Sequence, residues 1–269
     1  MRLIAKACSD AEAFLSALAA GGLDACLAYL RREGGSTDSD AGLNCRLAEA
    51  LFHHGRRDEA LECARRAFPW AGGDTAMLHI CAWVFSNCRS HVEAASCYHR
   101  LTELCPEAIE FHRHASGSLA AIGRLDEAIV AGSKASHLAP DDPEFARHVG
   151  SLLLAVGRYE EAAFYLDRAV ALEPDNAGAL CELSTAYRAL GRGEAAIALA
   201  LRAATLKPDD CGITIQAAEL LIACGRATEA TELLHNAAAV TADAPEIVGV
   251  LVVGPIPAVD NHHRAPPLL

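Results

Sequence analysis

A repeat of 34 residues, kept without insertion, constrains this chain more than anything else in it. Gly123-Arg124-Leu125-Asp126-Glu127-Ala128 returns as Gly157-Arg158-Tyr159-Glu160-Glu161-Ala162, and again as Gly191-Arg192-Gly193-Glu194-Ala195-Ala196. The same spacing reaches Gly225 downstream, and Arg89, Gly55 and Gly21 upstream. A fixed period of this size means that each unit is one supersecondary element, unable to bury its apolar face alone and stabilised by its neighbours. It overrules the one or two globular domains that 269 residues would otherwise suggest.

With the recurring glycine numbered position 15 of the unit, other positions fall into step. Position 20 reads Cys26, Ala60, Ala94, Ala128, Ala162, Ala196 and Ala230. Position 27 reads Ala67, Leu101, Ala135, Ala169, Ala203 and Ala237, and position 8 reads Ala48, Ala82, Ser116, Gly150, Ser184 and Ala218. Two helices packed antiparallel come close only where the facing side chains are small, so these positions predict the interhelical contacts. Glycine at 15 suits a residue just past a helix end, where the left-handed conformation penalises a Cβ. Asp58-Glu59, Asp126-Glu127 and Glu160-Glu161 then fall in the first turn of a second helix, on its positive dipole end. At the other boundary Asp142 is placed to cap a helix that begins at Pro143. Arg89 stands where every other unit has glycine, which predicts local strain.

These positions resemble the signature of the tetratricopeptide-repeat family: the small residues, the turn glycine, and proline at position 32 in four consecutive units (Pro106, Pro140, Pro174, Pro208). The resemblance spans residues 41–244 as six units, with a degenerate seventh at 7–40. It implies an all-α fold, a right-handed α-solenoid of about seven helix-turn-helix units and so about fourteen helices, with essentially no sheet before residue 245. The domain plan that follows is an N-terminal cap with a degenerate repeat over 1–40, six tandem units over 41–244, and a non-repeat, proline-containing tail over 245–269. In that tail the run Val250-Leu251-Val252-Val253 and then Gly254-Pro255-Ile256-Pro257 oppose a helix, so either a further domain continues the protein or a strand-like segment pairs with something.

Charge and composition narrow the function. A formal net charge of −12 and a pI of about 5.4 argue against nucleic acid as partner. No apolar run reaches the roughly 18 residues of a membrane span, and Met1 to Cys8 is too short in its apolar part for a secretory signal. Eleven cysteines, an odd count with no Cys-x-x-Cys, point to free structural thiols and a reducing cytoplasm. Several of them occupy small packing positions: Cys26, Cys81, Cys88 and Cys224. His91, Cys97 and His99 share one helix at spacings that do not converge on a metal, so neither metal nor cofactor is expected. Asp38-Ser39-Asp40 matches the Asp-x-Asp pattern of some sugar transferases but reads more simply as a turn with Asp40 as a helix cap. With no Gly-rich phosphate loop, His-Glu-x-x-His or Gly-x-Ser-x-Gly, a non-enzyme is expected.

The resemblance also implies where binding would occur, in a concave groove lined by positions 2, 5, 6, 9, 12 and 13 of each first helix. There Arg113-His114 and Arg147-His148 lie one period apart at positions 5 and 6, a basic pair in an acidic chain. Ser151 and Arg188 take further groove positions, and His79 and Trp83, with Phe52, extend it upstream. Gly117 leaves room on the floor. The carboxylate clamp of chaperone-binding relatives, Lys at position 5 and Asn at 9, is absent. The function implied is a protein-protein interaction scaffold that holds a peptide or partner protein, with the arginines toward an acidic group. The two histidines would assist once protonated below about pH 6.5. The alternative is the N-terminal recognition array of a larger enzyme, such as a bacterial glycosyl-, methyl- or sulfotransferase.

Overall fold

The computed structural model describes residues 22–24, 26, 27 and 38–240. Twelve α-helices lie among them, and no strand. In chain order they are α1 (Asp38–His53), α2 (Arg57–Ala67), α3 (Thr75–Asn87), α4 (His91–Leu104), α5 (Ile109–Ala121), α6 (Leu125–Leu138), α7 (Pro143–Ala155), α8 (Tyr159–Leu172), α9 (Ala177–Ala189), α10 (Gly193–Leu206), α11 (Cys211–Ala223) and α12 (Ala227–Val240). A 3-10 turn over Phe68–Trp70 follows α2. Leu23, Asp24, Cys26 and Leu27 are helical as well, where the second helix of the degenerate unit is expected. Apart from residues 22 and 38–40, the rest of that cap lies outside the described residues, as does the whole 245–269 tail. Among the described residues no helix is long and apolar enough to cross a membrane.

The helix starts repeat with the sequence. From α3 onward first helices begin at 75, 109, 143, 177 and 211, and second helices from α2 onward begin at 57, 91, 125, 159, 193 and 227. The exception is α1, which begins at Asp38, so Asp40 lies in the first turn of the helix instead of capping it. Asp142 does cap: its carboxylate accepts from the Glu144 backbone N–H at 2.9 Å as α7 begins at Pro143.

One turn closes every first helix. Gly123 N–H donates to the Ala120 carbonyl and Arg124 N–H to the Leu119 carbonyl. The same pair of bonds recurs at Gly55, Gly157, Gly191 and Gly225. This is the two-bond closure that demands a left-handed residue, and those glycines have φ between 74° and 79°. At the remaining turn the left-handed residue is Arg89, with φ 61°, the one non-glycine among the described residues in that region. The next residue then opens the second helix. Where it is arginine followed three residues on by glutamate, the two side chains pair, as in Arg56–Glu59 at 2.7 Å and Arg124–Glu127 and Arg158–Glu161 at 2.6 Å. The second acid of each predicted first-turn pair, Glu59, Glu127 and Glu161, therefore also binds the residue that opens the helix.

The chain divides into two compact units, one up to Leu152 and one from Leu153, with the division inside α7. In the first, α1 packs on α2, α3 on α4 and α5 on α6, and α4 packs against α5. Its core joins Leu47, Leu51, Leu78, Phe85, Tyr98 and Leu101 to the alanines at the small positions. Cys45 and Cys81 are part of it, their Sγ atoms 3.8 Å apart, and Cys26, Cys63 and Cys97 are buried there too. In the second unit α8 to α12 pack in sequence around Leu180, Ile197, Leu220, Leu221 and Leu234. Positions 8, 20 and 27 are buried in all six units. The packing role expected of Cys88 and Cys224 is only partly met: Cys88 is half-buried and Cys224 exposed, because the turn next to the left-handed residue faces solvent.

Candidate functional site

Helices α5 and α7 of the first unit bring Arg113, His114, Arg147 and His148 to one groove of about 610 Å³. They converge because positions 5 and 6 of consecutive first helices share a face. Gly117 and Ser118 contribute to the walls, and Phe145 supplies an apolar surface. Acidic groups enter as well: Glu110, Asp142 and Glu144 line the same groove.

Each arginine is tied to a glutamate one turn before it. Arg113 Nε donates to Glu110 Oε2 at 2.9 Å, and Arg147 Nη2 to Glu144 Oε2 at 3.1 Å. The pair is therefore part of an alternating set of charges, and its pull on an anion is correspondingly smaller than that of two bare cations. The sequence carries this signal as Glu-x-x-Arg at positions 2 and 5 of both units, a helix spacing that faces the two side chains. Ser151 donates back to the Arg147 carbonyl at 3.0 Å, within its own helix.

The two histidines sit in different environments. His114 stacks on the buried Tyr98 ring at 5.2 Å, and its Nε2 accepts from Arg113 Nη2 at 3.1 Å. His148 is held from below: its Nε2 lies 2.9 Å from Ser116 Oγ, which donates to the Ala128 carbonyl at 2.7 Å. Burial, followed by the Arg113 guanidinium, pushes the His114 pKa below the ordinary histidine value, and burial with Arg147 and Arg113 does the same to His148. Ser116 is fully buried and donates its hydrogen to a carbonyl, so this Ser–His contact is not arranged as a nucleophile and base. Position 8 is read from sequence only as a small packing residue; nothing local marks Ser116 as a hydrogen-bond bridge. His112, two residues before His114, points elsewhere and bonds the Pro106 carbonyl at 2.9 Å.

The upstream residues form a separate aromatic edge of the same unit. Trp83 meets Phe52 edge-on at 4.7 Å and His53 at 5.3 Å, and Arg57 lies over the Phe52 ring. Trp83 and Phe52 are half-buried against the core, while His79 is exposed over Phe111 at 5.5 Å. Arg188 lies in the second unit, exposed on α9. Among the described residues no group of three or more His, Cys, Asp or Glu is gathered as a metal site; Cys97 and Tyr98 are core residues, and His99 faces solvent beside Glu103.

Comparison with known proteins agrees with this architecture. The family described as tetratricopeptide repeat matches residues 153–210. A crystal structure of MamA is similar at 20% identity, over 62% of this chain and 91% of that one, with a TM-score of 0.58. MamA residues 41-end from Desulfovibrio magneticus RS-1 are similar at 20% identity, over 61% and 92%, with a TM-score of 0.57. YrrB, titled a TPR protein with an unusual peptide-binding site, is similar at 18% identity, over 71% and 99%, with a TM-score of 0.58. At these identities the likeness is one of fold. No curated protein matches the chain.

Proposed function

We propose that this chain, whose residues 153–210 match the tetratricopeptide-repeat family and whose fold is that of tetratricopeptide-repeat proteins, is a non-enzymatic interaction scaffold whose first unit holds a peptide segment of a partner protein. The observation that carries this reading is the groove itself: about 610 Å³, with Arg113-His114 and Arg147-His148 repeated at one period along its wall. An extended chain presents carbonyl oxygens and side-chain acceptors at intervals, and arginine offers a rigid fork of donors to such groups or to a carboxylate. Trp83 and His79 extend the contact surface upstream. A chain of net charge −12 attracts nucleic-acid phosphates poorly, which favours a protein partner. Among the described residues the cysteines, half of them buried, form no disulfide, which suits a reducing compartment such as the cytoplasm.

A displayed library of random peptides, panned against the purified protein, tests the reading. Enriched peptides should lose about tenfold or more in affinity to the Arg113→Ala/Arg147→Ala double variant, the scale of a hydrogen bond to a charged group. Their binding should also depend less on salt in that variant. Both arginines are exposed enough that the melting temperature should hardly move. Enrichment of no peptide, or binding indifferent to both arginines, overturns it.

A further inference from the structure

Whatever enters the groove meets one ring whose hydrogen-bonding direction is already decided. The Ala128 carbonyl can only accept, so the Ser116 hydroxyl hydrogen, 2.7 Å away, points to it. The 2.9 Å contact between His148 Nε2 and Ser116 Oγ must then be an N–H donated by the histidine. In a neutral imidazole the other nitrogen carries the lone pair, so His148 Nδ1 is an acceptor.

Packing decides where that acceptor lies. A Cβ on Gly132 of α6 would sit 2.9 Å from Ser116 Oγ, 3.1 Å from Val149 Cγ2 and 3.6 Å from His148 Cδ2. The Cδ2–Nε2 edge of the ring is therefore against α6 and Ser116. Nδ1 is on the opposite edge, and His148 lines the groove. His114 is the reverse case, since its Nε2 acceptor already takes the Arg113 N–H.

We propose that His148 selects, at neutral pH, a partner group that donates a hydrogen bond to Nδ1 while accepting one from the neighbouring arginines: a carboxamide, as on Asn or Gln, in preference to a carboxylate. This rests on the reading of the groove as a peptide site. A carboxamide has both an N–H and a C=O to offer, whereas a carboxylate has only acceptors and would set a lone pair against that of Nδ1. The charges around the ring do not reverse this choice. Glu110, Arg113 and His114 line the same groove from α5, and Asp142, Glu144 and Arg147 from the start of α7; of these, Arg147, Arg113 and then Glu144 act on the ring. From α6 it meets Gly132, with the Ala128 carbonyl behind Ser116. Arg147 and Arg113 act on the ring more strongly than Glu144, but each arginine is already tied to its own glutamate, which weakens its pull on an anion. Acidification reverses the preference, because a proton on Nδ1 turns the acceptor into a donor; burial and the two arginines place that change below the ordinary histidine value of 6.5.

Two measurements test it. In 15N-labelled protein without ligand, long-range histidine correlation spectra should show His148 protonated at Nε2 and bare at Nδ1 at neutral pH; the opposite tautomer overturns the proposal. For binding, the probes are two displayed random-peptide libraries, one lacking Asp and Glu and the other lacking Asn and Gln. At neutral pH the amide-containing library should enrich more. Replacing the critical Asn or Gln of a selected peptide by Asp or Glu should weaken it about tenfold, one hydrogen bond's worth. That ratio should shrink or invert at about pH 5, below the histidine range, and approach one in His148→Leu. Ser116→Ala, which keeps the ring but releases its tautomer, should lower the ratio as well. If neither library enriches, the peptide-groove reading fails and this one with it. If peptides enrich without an amide preference, or the preference survives both variants, only the role of His148 fails.

Discussion

The two units place the same positions of the repeat on the same helix faces, yet they dispose of their polar atoms differently. In the second unit, positions 5, 6 and 9 close on one another across neighbouring first helices. Cys181 Sγ donates to Gln216 Oε1 at 2.7 Å, and Gln216 Nε2 donates to Thr185 Oγ1 at 2.7 Å and to the Cys181 carbonyl at 3.3 Å. In the first unit the same positions hold Arg113, His114, Arg147 and His148 around a groove, with His148 Nε2 against Ser116 Oγ at 2.9 Å. A self-satisfied face rigidifies the stack, whereas a face with donors and an acceptor directed outward can exchange them with a partner. The repeat frame is therefore common to both units, and the residues hung on positions 5 and 6 are what distinguish them.

The largest effect that sharpens this contrast is expected at Gly132. Its helix position is Ala200 in the second unit, fully buried without difficulty, whereas any Cβ at 132 meets Ser116 and Val149. Gly132→Val should lower unfolding stability by about 1–3 kcal/mol, the usual cost of overpacking, despite the general helix gain on replacing glycine. Ala200→Gly should cost about 0.5–1 kcal/mol, the backbone term alone being of that size. Urea titrations measure both; a neutral Gly132→Val would mean that the His148–Ser116 contact needs no clearance on α6.

Next in size is the turn. Arg89 holds a left-handed conformation that costs a non-glycine residue about 1–2 kcal/mol. Arg89→Gly should raise the melting temperature and Gly157→Arg should lower it by a comparable amount. Equal and opposite shifts would establish that the turn is one interchangeable module in both units; a fall on Arg89→Gly would break that equivalence.

A third prediction isolates the closed network. Gln216→Leu removes the partner of Cys181 and Thr185 and should cost about 0.5–1.5 kcal/mol, the net value of an internal hydrogen bond. Peptide binding by the first unit should be unchanged, as judged by anisotropy with any peptide selected on the wild type. Loss of binding together with stability would show that the two faces do not act separately.

The smallest effect is the pH dependence of stability. His114 and His148 have pKa values lowered in the folded state. Between the unfolded value near 6.5 and the lower folded value, the unfolded chain binds more protons, so stability falls as pH drops through that window and levels off beneath it. His148→Gln should flatten part of that slope. The second unit's network contains no histidine, so Gln216→Leu should leave the slope as it is, and a change there would contradict the assignment.

Much of this was legible in the residues. The 34-residue phase placed every helix start in register except that of α1, and alanine at 20 is buried in all six units over 41–244 because two helices cannot close on anything larger. The groove pair Arg113-His114 and Arg147-His148 was legible from the same ruler. The Glu110 and Glu144 pairings could have been read as Glu-x-x-Arg, a spacing that any helix turns into a contact.

What sequence alone determined is thus the repeat, its turns and which positions face inward, since all of these are set by periodicity and by local backbone preference. Tertiary structure alone decided that Ser116 would bridge the Ala128 carbonyl to His148, that Gly132 would leave the space for it, and that the Nε2 atoms of the two histidines would meet different partners, Ser116 for His148 and Arg113 for His114. The reason is directional. Burial follows from hydrophobic pattern along one helix, but the sense of a hydrogen bond depends on which donor and acceptor meet from α5, α6 and α7 at once, and no single segment of the chain records that meeting.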